Sequence, residues 1–390
     1  MKNKNFVADK VEKLAPSGIR AFFDLVLGMK DVISLGVGEP DFVTPWNIRE
    51  TGIFSLEQGY TSYTSNKGLY KLRLLIQRSL KQLYGLNYSP DDDILITVGV
   101  SEALDLAVRA ILNPGDQVII PEPCYVSYGP VVELAGGVPV YLPTTAKEGF
   151  KITAAKLEKA CNNKTKGIIL NYPSNPTGVT YNKKELESIS RVCLKHNLVV
   201  ISDEVYGDLT YTGKHIPFPC LSGAQANTLY LNGFSKAYAM TGWRVGYACG
   251  PKSIIAAMTK IHQYTILCAP ILSQMAACEA LQTGKKSLED MKKEYNRRRD
   301  LMHQGLNEIG LSCDMPQGAF YIFPSIKKTG LSSLDFANKL LKQQKVAVVP
   351  GVAFGKDYDQ HIRISYATNY SKLQEAIKCI KIFVDSCIKK

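Results

Sequence analysis

In the middle of this 390-residue chain, short continuous apolar runs take turns with segments in which apolar residues recur at helical spacing. Short apolar runs with the length of buried strands lie at 94–98, 117–120, 138–142, 167–171, 198–202, 228–232 and 245–248. Segments with helical spacing lie between several of these runs, for example 102–112 and 183–196. Repeated strand–helix alternation predicts an α/β fold with a mostly parallel sheet that is covered by helices on both faces.

The pattern changes towards both ends of the chain. From about residue 290 it predicts helices around two short extended runs, at 319–323 and 346–349, which indicate a smaller α+β domain. Near the start, helical spacing at 17–29 precedes a short predicted strand, Ile33 to Val37. We therefore predict an N-terminal arm with part of the small domain (1–50), a large domain (51–285) and a C-terminal small domain (286–390).

The chain is basic, with a formal net charge of +12 and a pI near 9.0. Its lysines and arginines are scattered, and the densest run, Asn296 to Asp300, has acids on both sides. No zinc finger, RNP-like motif or basic stripe with interleaved aromatics is present. We therefore expect no nucleic-acid partner, and we interpret the charge as solvated surface that also steers anionic substrates.

Ten cysteines occur without a CxxC pair, and the five histidines do not cluster with them, so no metal site is predicted. The N-terminus lacks the apolar core of a signal peptide, and no run of 18 apolar residues exists that would span a membrane. Free thiols without an export signal predict a cytoplasmic protein.

One lysine is unusual among the residues that follow the predicted strands. Lys236 lies in an otherwise uncharged run after the strand at 228–232, and Arg244 follows shortly afterwards. Burying a lysine charge costs several kcal/mol unless the charge is paired or neutralised, so the position indicates either an exposed Gly/Ser loop or a chemical role. A desolvated lysine can attack a carbonyl, and an arginine can hold a phosphate through two hydrogen bonds. Pyridoxal 5′-phosphate (PLP) is an aldehyde that carries a phosphate, and it meets both conditions.

Polar residues at the ends of three other strands fit the same cofactor, because open parallel sheets bind ligands at this edge. Ser101 begins a helix whose free N–H groups suit a phosphate, although by itself it is better explained as an ordinary N-cap. Asn175 lies in a rigid turn and either donates to a ring oxygen or only shapes the turn. Asp203 can keep a pyridine nitrogen protonated while Tyr206 bonds the phenolic oxygen; the alternative is a solvated pair of acids with Glu204.

An arginine also interrupts an apolar run near the C-terminus. Arg363 lies between Ile362 and Ile364 in a strand-like segment, where a guanidinium needs a partner. The N–H donors of a guanidinium are arranged so that they can bind both oxygens of a substrate carboxylate. A structural salt bridge is the alternative.

Several motifs in a fixed order resemble one enzyme family over nearly the whole chain. They are NPTG at 175–178, SDEVY at 202–206 and SKAYAMTGWRVGY at 235–247, with ILITVGVSEAL at 94–104 before them and the context of Arg363 after them. This set closely resembles the PLP-dependent aminotransferases of fold type I, class I/II. The phrases YPSNPTGVT, HQYTILCAP and GAFYIFPSIK are similar to the aspartate/aromatic-type subgroup, which includes enzymes acting on N-acetyl-diaminopimelate. The resemblance implies a mostly parallel seven-stranded sheet in a large domain and a smaller α+β domain.

The resemblance also implies a role for each matching position. Lys236 would be the Schiff-base lysine, and the other cofactor-binding residues would be Ser101, Tyr125, Asn175, Asp203, Tyr206, Arg244 and, from the neighbouring subunit of a homodimer, Tyr63. The substrate α-carboxylate would be bound by Arg363, with Asn175 and the Gly38 backbone nearby. The implied reaction moves the amino group of an L-amino acid (aspartate, aromatic or related) to a 2-oxo acid, namely 2-oxoglutarate, by a ping-pong mechanism.

Two positions depart from the family pattern. Many relatives have a phosphate-binding serine where this chain has Gly233, and a tryptophan or phenylalanine where it has Tyr125. Neither change threatens the core chemistry. A PLP-dependent C–S lyase shares the fold and most of the cofactor residues, so it is the alternative activity. A transcriptional regulator with an aminotransferase-like domain is disfavoured, because the match begins near residue 16.

The sequence does not identify the residue that recognises the substrate side chain. Ile19, Arg20, Lys67 and Arg109 are candidates, and each of them is also explained by a structural or solvent-exposed role. A basic member of this set would favour an acidic substrate such as aspartate. The aromatic arm residues Phe22 and Phe23 would suit an aromatic one.

Overall fold

The central strands are short, mostly buried runs rich in valine, isoleucine and leucine. The computed structural model describes residues 6–14, 29 and 31–388. Within them the strands are β1 (Ile33–Ser34), β2 (Ile94–Thr97), β3 (Gln117–Glu122), β4 (Val138–Pro143), β5 (Thr165–Asn171), β6 (Val199–Asp203), β7 (Thr228–Gly233), β8 (Gly246–Cys249), β9 (Tyr321–Ile322), β10 (Val346–Ala347), β11 (Val349–Pro350) and β12 (Ile362–Ser365).

Seven of these strands form one sheet in the order β2-β8-β7-β6-β5-β3-β4. The pairs from β4 to β7 are parallel, whereas β8 runs antiparallel to both of its neighbours. The predicted α/β fold with a mostly parallel seven-stranded sheet is therefore confirmed. Because β3, β5, β6 and β7 run the same way, their carboxyl ends meet at one edge of the sheet.

Helices cover both faces of this sheet and build most of the C-terminal part. Their bounds are α1 (Asp9–Glu12), α2 (Trp46–Glu57), α3 (Tyr70–Tyr84), α4 (Gly99–Ile111), α5 (Tyr128–Leu134), α6 (Ala154–Ala160), α7 (Lys183–Lys195), α8 (Phe234–Ala237), α9 (Lys252–Thr265), α10 (Ile271–Thr283), α11 (Lys285–Ile309), α12 (Ser333–Gln344) and α13 (Tyr370–Ile388). Helix α7 shows why the sequence folds this way. Asn182 caps its first turn and Glu185 completes a capping box, while Leu186, Ile189 and Cys193 are buried on one face.

The C-terminal part has its own apolar core. Helices α11, α12 and α13 pack around a three-stranded sheet, β11-β12-β9, and around the two-stranded pair of β1 and β10. The pair is parallel, with Ile33 opposite Val346, so a strand from the start of the chain belongs to this body. The domain limits at 50 and 285 remain a prediction.

Some expectations lie outside the described residues, including most of the helix predicted at 17–29 and the candidates Ile19, Arg20, Phe22 and Phe23. In the part of the chain that the structure describes, no helix is long and apolar enough to cross a membrane. That same part holds no group of three or more His, Cys, Asp and Glu side chains suited to a metal ion.

Candidate active site

A cavity of about 840 Å³ opens at the carboxyl edge of the parallel strands. Nine of the predicted site residues line it, and they come from both bodies of the fold: Gly38, Ser101, Tyr125, Asn175, Asp203, Tyr206, Lys236, Arg244 and Arg363. The tenth, Tyr63, is not among the lining residues, and 82% of its surface is exposed. The structure thus brings together residues that are up to 325 positions apart, counting from Gly38 to Arg363.

Lys236 occupies the centre of this cavity. Strand β7 ends at Gly233, and the four-residue helix α8 turns the lysine back over the strand ends. Its Nζ donates a hydrogen bond to the carbonyl oxygen of Gly38 at 2.6 Å. Burial lowers the pKa of Lys236 to about 8, an effect that the Glu39 carboxylate opposes and the Arg244 and Arg363 guanidinium groups reinforce. A neutral amine is therefore readily available at this position.

Gly233, which departs from the family pattern, is explained by close packing. A Cβ atom at Gly233 would lie 3.0 Å from the Cα of Gly246 and 3.0 Å from the Val100 side chain. Because Gly233 pairs with Gly246 across β7 and β8, the two backbones leave little room for a serine.

Asp203 ends strand β6 as a buried carboxylate with two hydrogen-bond donors. The Tyr128 hydroxyl donates to its Oδ2 at 2.7 Å, and the Val205 N–H donates to its Oδ1 at 3.3 Å. Burial raises the pKa of Asp203 to about 6, and the Tyr128 hydrogen bond opposes that rise. No cation forms a salt bridge with this carboxylate in the part of the chain that the structure describes, so it suits a ligand that brings a positive charge.

Tyr128 was not selected from the sequence, although it lies only three residues after Tyr125. It is 2% exposed and belongs to α5, which carries it below the cavity towards β6. Its neighbour Tyr125 meets it edge to face, with ring centroids 5.6 Å apart. The sequence around Tyr128 does not indicate that its hydroxyl will bond an aspartate 75 positions away.

The neighbour of Asp203, Glu204, does not form the solvated acid pair considered as an alternative. It is fully buried and accepts hydrogen bonds from Ser202 Oγ at 2.7 Å and the Phe218 N–H at 2.9 Å. His215 Nε2 also contacts its carboxylate. This network supports the backbone directly behind Asp203.

Arg244 and the start of α4 form an anion-binding corner. Arg244 has a positive φ of 52°, an unusual backbone conformation for a side chain of this size, and its Nη1 donates to the Thr241 carbonyl at 3.1 Å. Its guanidinium lies directly over Gly99, where a Cβ would be 2.5 Å from Nη2. Helix α4 begins at this glycine. The same part of the cavity is therefore lined by the guanidinium, the free N–H groups of the first turn and Ser101.

Arg363 lies on β12 and is 2% exposed. Its Nη1 donates to Asn175 Oδ1 at 3.0 Å and its Nη2 to the Gly36 carbonyl, while Nε is buried without a partner in the described residues. Its guanidinium lies 4.6 Å from the ring centroid of Tyr321. No carboxylate pairs with it in the described part of the chain, so the structural salt bridge considered as an alternative is not found there.

The other two candidates for recognising the substrate side chain lie elsewhere. Lys67 donates to the Asp91 carbonyl, and Arg109 forms a salt bridge with Asp105 one helical turn earlier, at 3.3 Å. Neither is among the residues that line the cavity.

Comparison with known proteins places these features in context. A family model described as aminotransferase class I and II matches residues 30–380. The chain is 55% identical to YugH of Bacillus subtilis, which is named as an aminotransferase without a stated substrate, over 97% of this chain and 98% of that one. It is 46% identical to an aspartate aminotransferase of Pyrococcus abyssi, over 95% and 96% of the two chains. The crystal structure of an aromatic aminotransferase from Pyrococcus horikoshii superposes with a TM-score of 0.90 at 44% identity, covering 94% of this chain and 99% of that one.

Proposed function

Because this chain belongs to the aminotransferase class I and II family and is a PLP-dependent transaminase, we propose that its donor is aspartate, an aromatic amino acid or a related L-amino acid, and that its acceptor is 2-oxoglutarate. The observation that carries the proposal is the meeting of Lys236, Asp203, Arg244 and Arg363 around one cavity. The named relatives include both aspartate and aromatic aminotransferases. The comparisons give no support to the alternative of a C–S lyase.

The residues present fit PLP at three points. The Arg244 guanidinium approaches the start of α4 this closely only because Gly99 lacks a Cβ, and the guanidinium and the N–H groups of the first turn together suit a phosphate. In the described residues no cation forms a salt bridge with the buried Asp203 carboxylate, and Lys236 is an amine that loses its proton readily. When bound, PLP supplies an aldehyde carbon for that amine and a protonated ring that withdraws electrons from the substrate α-carbon.

We assign the cofactor contacts accordingly. Asp203 would hold the ring nitrogen in its protonated form, and the Tyr125 ring would lie against the cofactor ring. Ser101 and Arg244 would bind the phosphate. Tyr206 would donate to the phenolic oxygen together with Asn175, whose Oδ1 already accepts from Arg363, so that its Nδ2 is the group left for donation.

Arg363 would bind the α-carboxylate of each substrate in turn. Its Nε is buried without a hydrogen-bond partner among the described residues, and a carboxylate can accept two parallel hydrogen bonds from a guanidinium. Once released from its bond to the Gly38 carbonyl, Lys236 Nζ would be the base that takes the proton from the substrate α-carbon. Since both substrates need the same arginine, they would bind alternately, which is a ping-pong mechanism.

A panel of amino donors with 2-oxoglutarate tests this assignment. We expect glutamate to form at the highest kcat/KM from aspartate or an aromatic donor, and initial-rate plots at several oxo-acid concentrations to give parallel lines. The proposal would be contradicted by intersecting lines, or by release of ammonia from the donor without any oxo acid.

The low pKa of Lys236 predicts how the rate of PLP incorporation depends on pH. With a pKa of about 8, about a tenth of the amine is neutral at pH 7, compared with about 0.03% for an ordinary lysine. Because the neutral amine attacks the aldehyde, the incorporation rate should rise with pH, reach half its maximum near pH 8 and then level off. Mixing the cofactor-free protein with PLP and following visible absorbance measures this. N-α-acetyl-lysine in place of the protein corrects for the titration of PLP itself, and a protein rate still rising at pH 10 would contradict the prediction.

We also propose a homodimer in which Tyr63 reaches the neighbouring phosphate site. Large apolar side chains are exposed on α2 and on two nearby segments: Trp46 (58%), Ile53 (51%), Phe54 (55%), Leu56 (56%), Tyr63 (82%) and Tyr264 (87%). The segments that carry Tyr63 and Tyr264 are joined by a hydrogen bond from Asn66 to the Leu267 carbonyl at 2.9 Å. Exposed apolar surface of this extent is typical of an interface between subunits.

Complementation between two inactive or weakened chains tests the dimer. When Lys236→Ala and Tyr63→Ala chains are co-expressed, a mixed dimer holds one site with both native residues. About half of randomly formed dimers are mixed, so activity should recover to about one quarter of the wild-type value. Each variant expressed alone is the control, and recovery no greater than the sum of the two would contradict a shared site.

A cytoplasmic location remains part of the proposal. All ten cysteines fall within the described residues, and each is a free thiol. Unpaired thiols in this number are typical of a reducing compartment.

A further inference from the structure

Tyr321 contacts two of the proposed site residues, Tyr206 and Arg363, yet it has none of the assigned roles. It lines the cavity on β9, its hydroxyl lies 2.9 Å from the Tyr206 hydroxyl, and its ring packs against the Arg363 guanidinium. We propose that Tyr321 is a positioning residue with two separable parts. Its hydroxyl donates to the Tyr206 hydroxyl and so directs the hydroxyl hydrogen of Tyr206 towards the cavity. Its ring holds Arg363, the proposed carboxylate-binding residue, in place. The proposal rests on the proposed function, because it assumes that Tyr206 donates to the cofactor.

The first part follows from counting hydrogens. Tyr206 and Tyr321 are 4% and 1% exposed, and burial raises the pKa of both, so each hydroxyl carries one hydrogen at neutral pH. Neither hydroxyl has another hydrogen-bond partner in the described residues. One of the two hydrogens must lie between the oxygens, and the other is left for a ligand.

The surroundings decide which hydrogen is left over. The Arg363 guanidinium lies over the Tyr321 ring, where a cation withdraws electron density and makes the hydroxyl a better donor. The Tyr321 oxygen is also closed in by the backbone, since a Cβ at Gly38 would be 2.8 Å from it. With Tyr321 donating, Tyr206 accepts one hydrogen bond and directs its own hydrogen into the cavity, and a hydroxyl that accepts is a stronger donor in turn.

The second part follows from the strand pairing. Tyr321 pairs with Ser365, and Ile322 pairs with Ile364, so Tyr321 and Arg363 belong to neighbouring strands of the small sheet. Tyr206, in contrast, follows β6 of the large sheet. The hydroxyl pair therefore joins the two bodies of the fold, and it ties the arginine that binds the substrate to the tyrosine that faces the cofactor.

Two substitutions at Tyr321 separate the parts. Tyr321→Phe keeps the ring and removes the hydroxyl. We expect PLP to bind about threefold to tenfold more weakly to the cofactor-free protein, since one hydrogen bond is lost from the chain of donors. In the loaded enzyme, the pH midpoint of the visible absorbance should move up by about half a unit, because a weaker donor stabilises the deprotonated phenolic oxygen less. The KM for the amino donor should stay within about twofold of the wild-type value. Tyr321→Leu also removes the ring, and it should raise that KM by about tenfold or more.

Three further variants make the outcome decisive. Tyr206→Phe should move the absorbance midpoint in the same direction and further, and adding Tyr321→Phe to it should change nothing more. Tyr366→Phe removes another fully buried hydroxyl, one that donates to the Ala319 carbonyl at 3.3 Å, and it should leave the midpoint unchanged. If Tyr206→Phe moves the midpoint and Tyr321→Phe does not, the orienting role is wrong while the proposed function stands. If neither moves it, the Tyr206 contact of the proposed function is itself wrong.

Discussion

Replacement of Lys236 by alanine is expected to lower transamination by about 10⁴-fold or more and to remove the visible absorbance that PLP acquires in the wild-type protein. Under the proposed function, two tasks would depend on this one amine. It would form the covalent link to the cofactor, and it would be the base that takes the proton from the substrate α-carbon. Its depressed pKa, about 8, makes the neutral form accessible for both.

A variant that preserves charge separates chemistry from electrostatics. Lys236→Arg keeps a cation near Gly38 and Asp203 but provides no nucleophile, so it should be as inactive as Lys236→Ala. Lys252→Ala, which removes an exposed lysine that pairs with Asp92 at 2.9 Å, should have wild-type rates. Absorbance spectra and single-turnover rates with a saturating amino donor measure both effects. A Lys236→Ala protein with near-wild-type turnover would show that the assignment of this lysine is wrong.

The residues that the sequence identified share a physical property. Lys236, Asp203 and Arg363 are charged groups that adjoin or interrupt apolar strands, and burying such a charge is costly enough to require an explanation. The structure shows each of them lining the cavity. The mostly parallel sheet was predictable for a related reason, because strands buried on both faces appear as continuous apolar runs.

Other features depend on contacts that no local pattern encodes. Tyr128 and Tyr321 are aromatic residues among many, and their importance comes from partners 75 and 115 positions away, respectively. The pairing of β1 with β10 joins segments more than 300 positions apart. The reversed direction of β8 was likewise not visible, because an apolar run buried in a sheet has the same composition whichever way it runs.

The Asp203 carboxylate illustrates a conflict between stability and function. Its pKa is raised to about 6 by burial, so the folded protein without cofactor keeps this proton to a higher pH than the unfolded chain does. Between about pH 4 and 6 the unfolded chain loses this proton before the folded one does. The free energy of unfolding therefore falls as pH rises through this window. Above the window the full loss is about 3 kcal/mol. In the proposed assignment, bound PLP would offset this loss of stability, because its protonated ring nitrogen would place a cation beside the carboxylate.

Replacement of Asp203 by asparagine should consequently have opposite effects on stability and on catalysis. Asparagine resembles the neutral acid, so the cofactor-free variant should be more stable than the wild type by up to about 3 kcal/mol at pH 7. That difference should shrink towards zero near pH 4. Transamination should fall by about 10²- to 10³-fold, since an amide does not hold the ring nitrogen in its charged form. PLP should stabilise the wild type more than the variant, because a ligand that binds the folded state more tightly stabilises it more at the same concentration.

Unfolding by urea at pH 7 and pH 4.5, with and without PLP, measures the first effect, and single-turnover rates measure the second. Tyr128→Phe is the matched control, because it leaves the carboxylate but removes the hydroxyl that donates to it at 2.7 Å. That change raises the pKa of Asp203 further, so its activity should fall in the same direction but by a smaller factor. A cofactor-free Asp203→Asn protein less stable than the wild type at pH 7 would mean that the carboxylate supports the fold. The proposal that burial of this charge destabilises the cofactor-free protein would then be wrong.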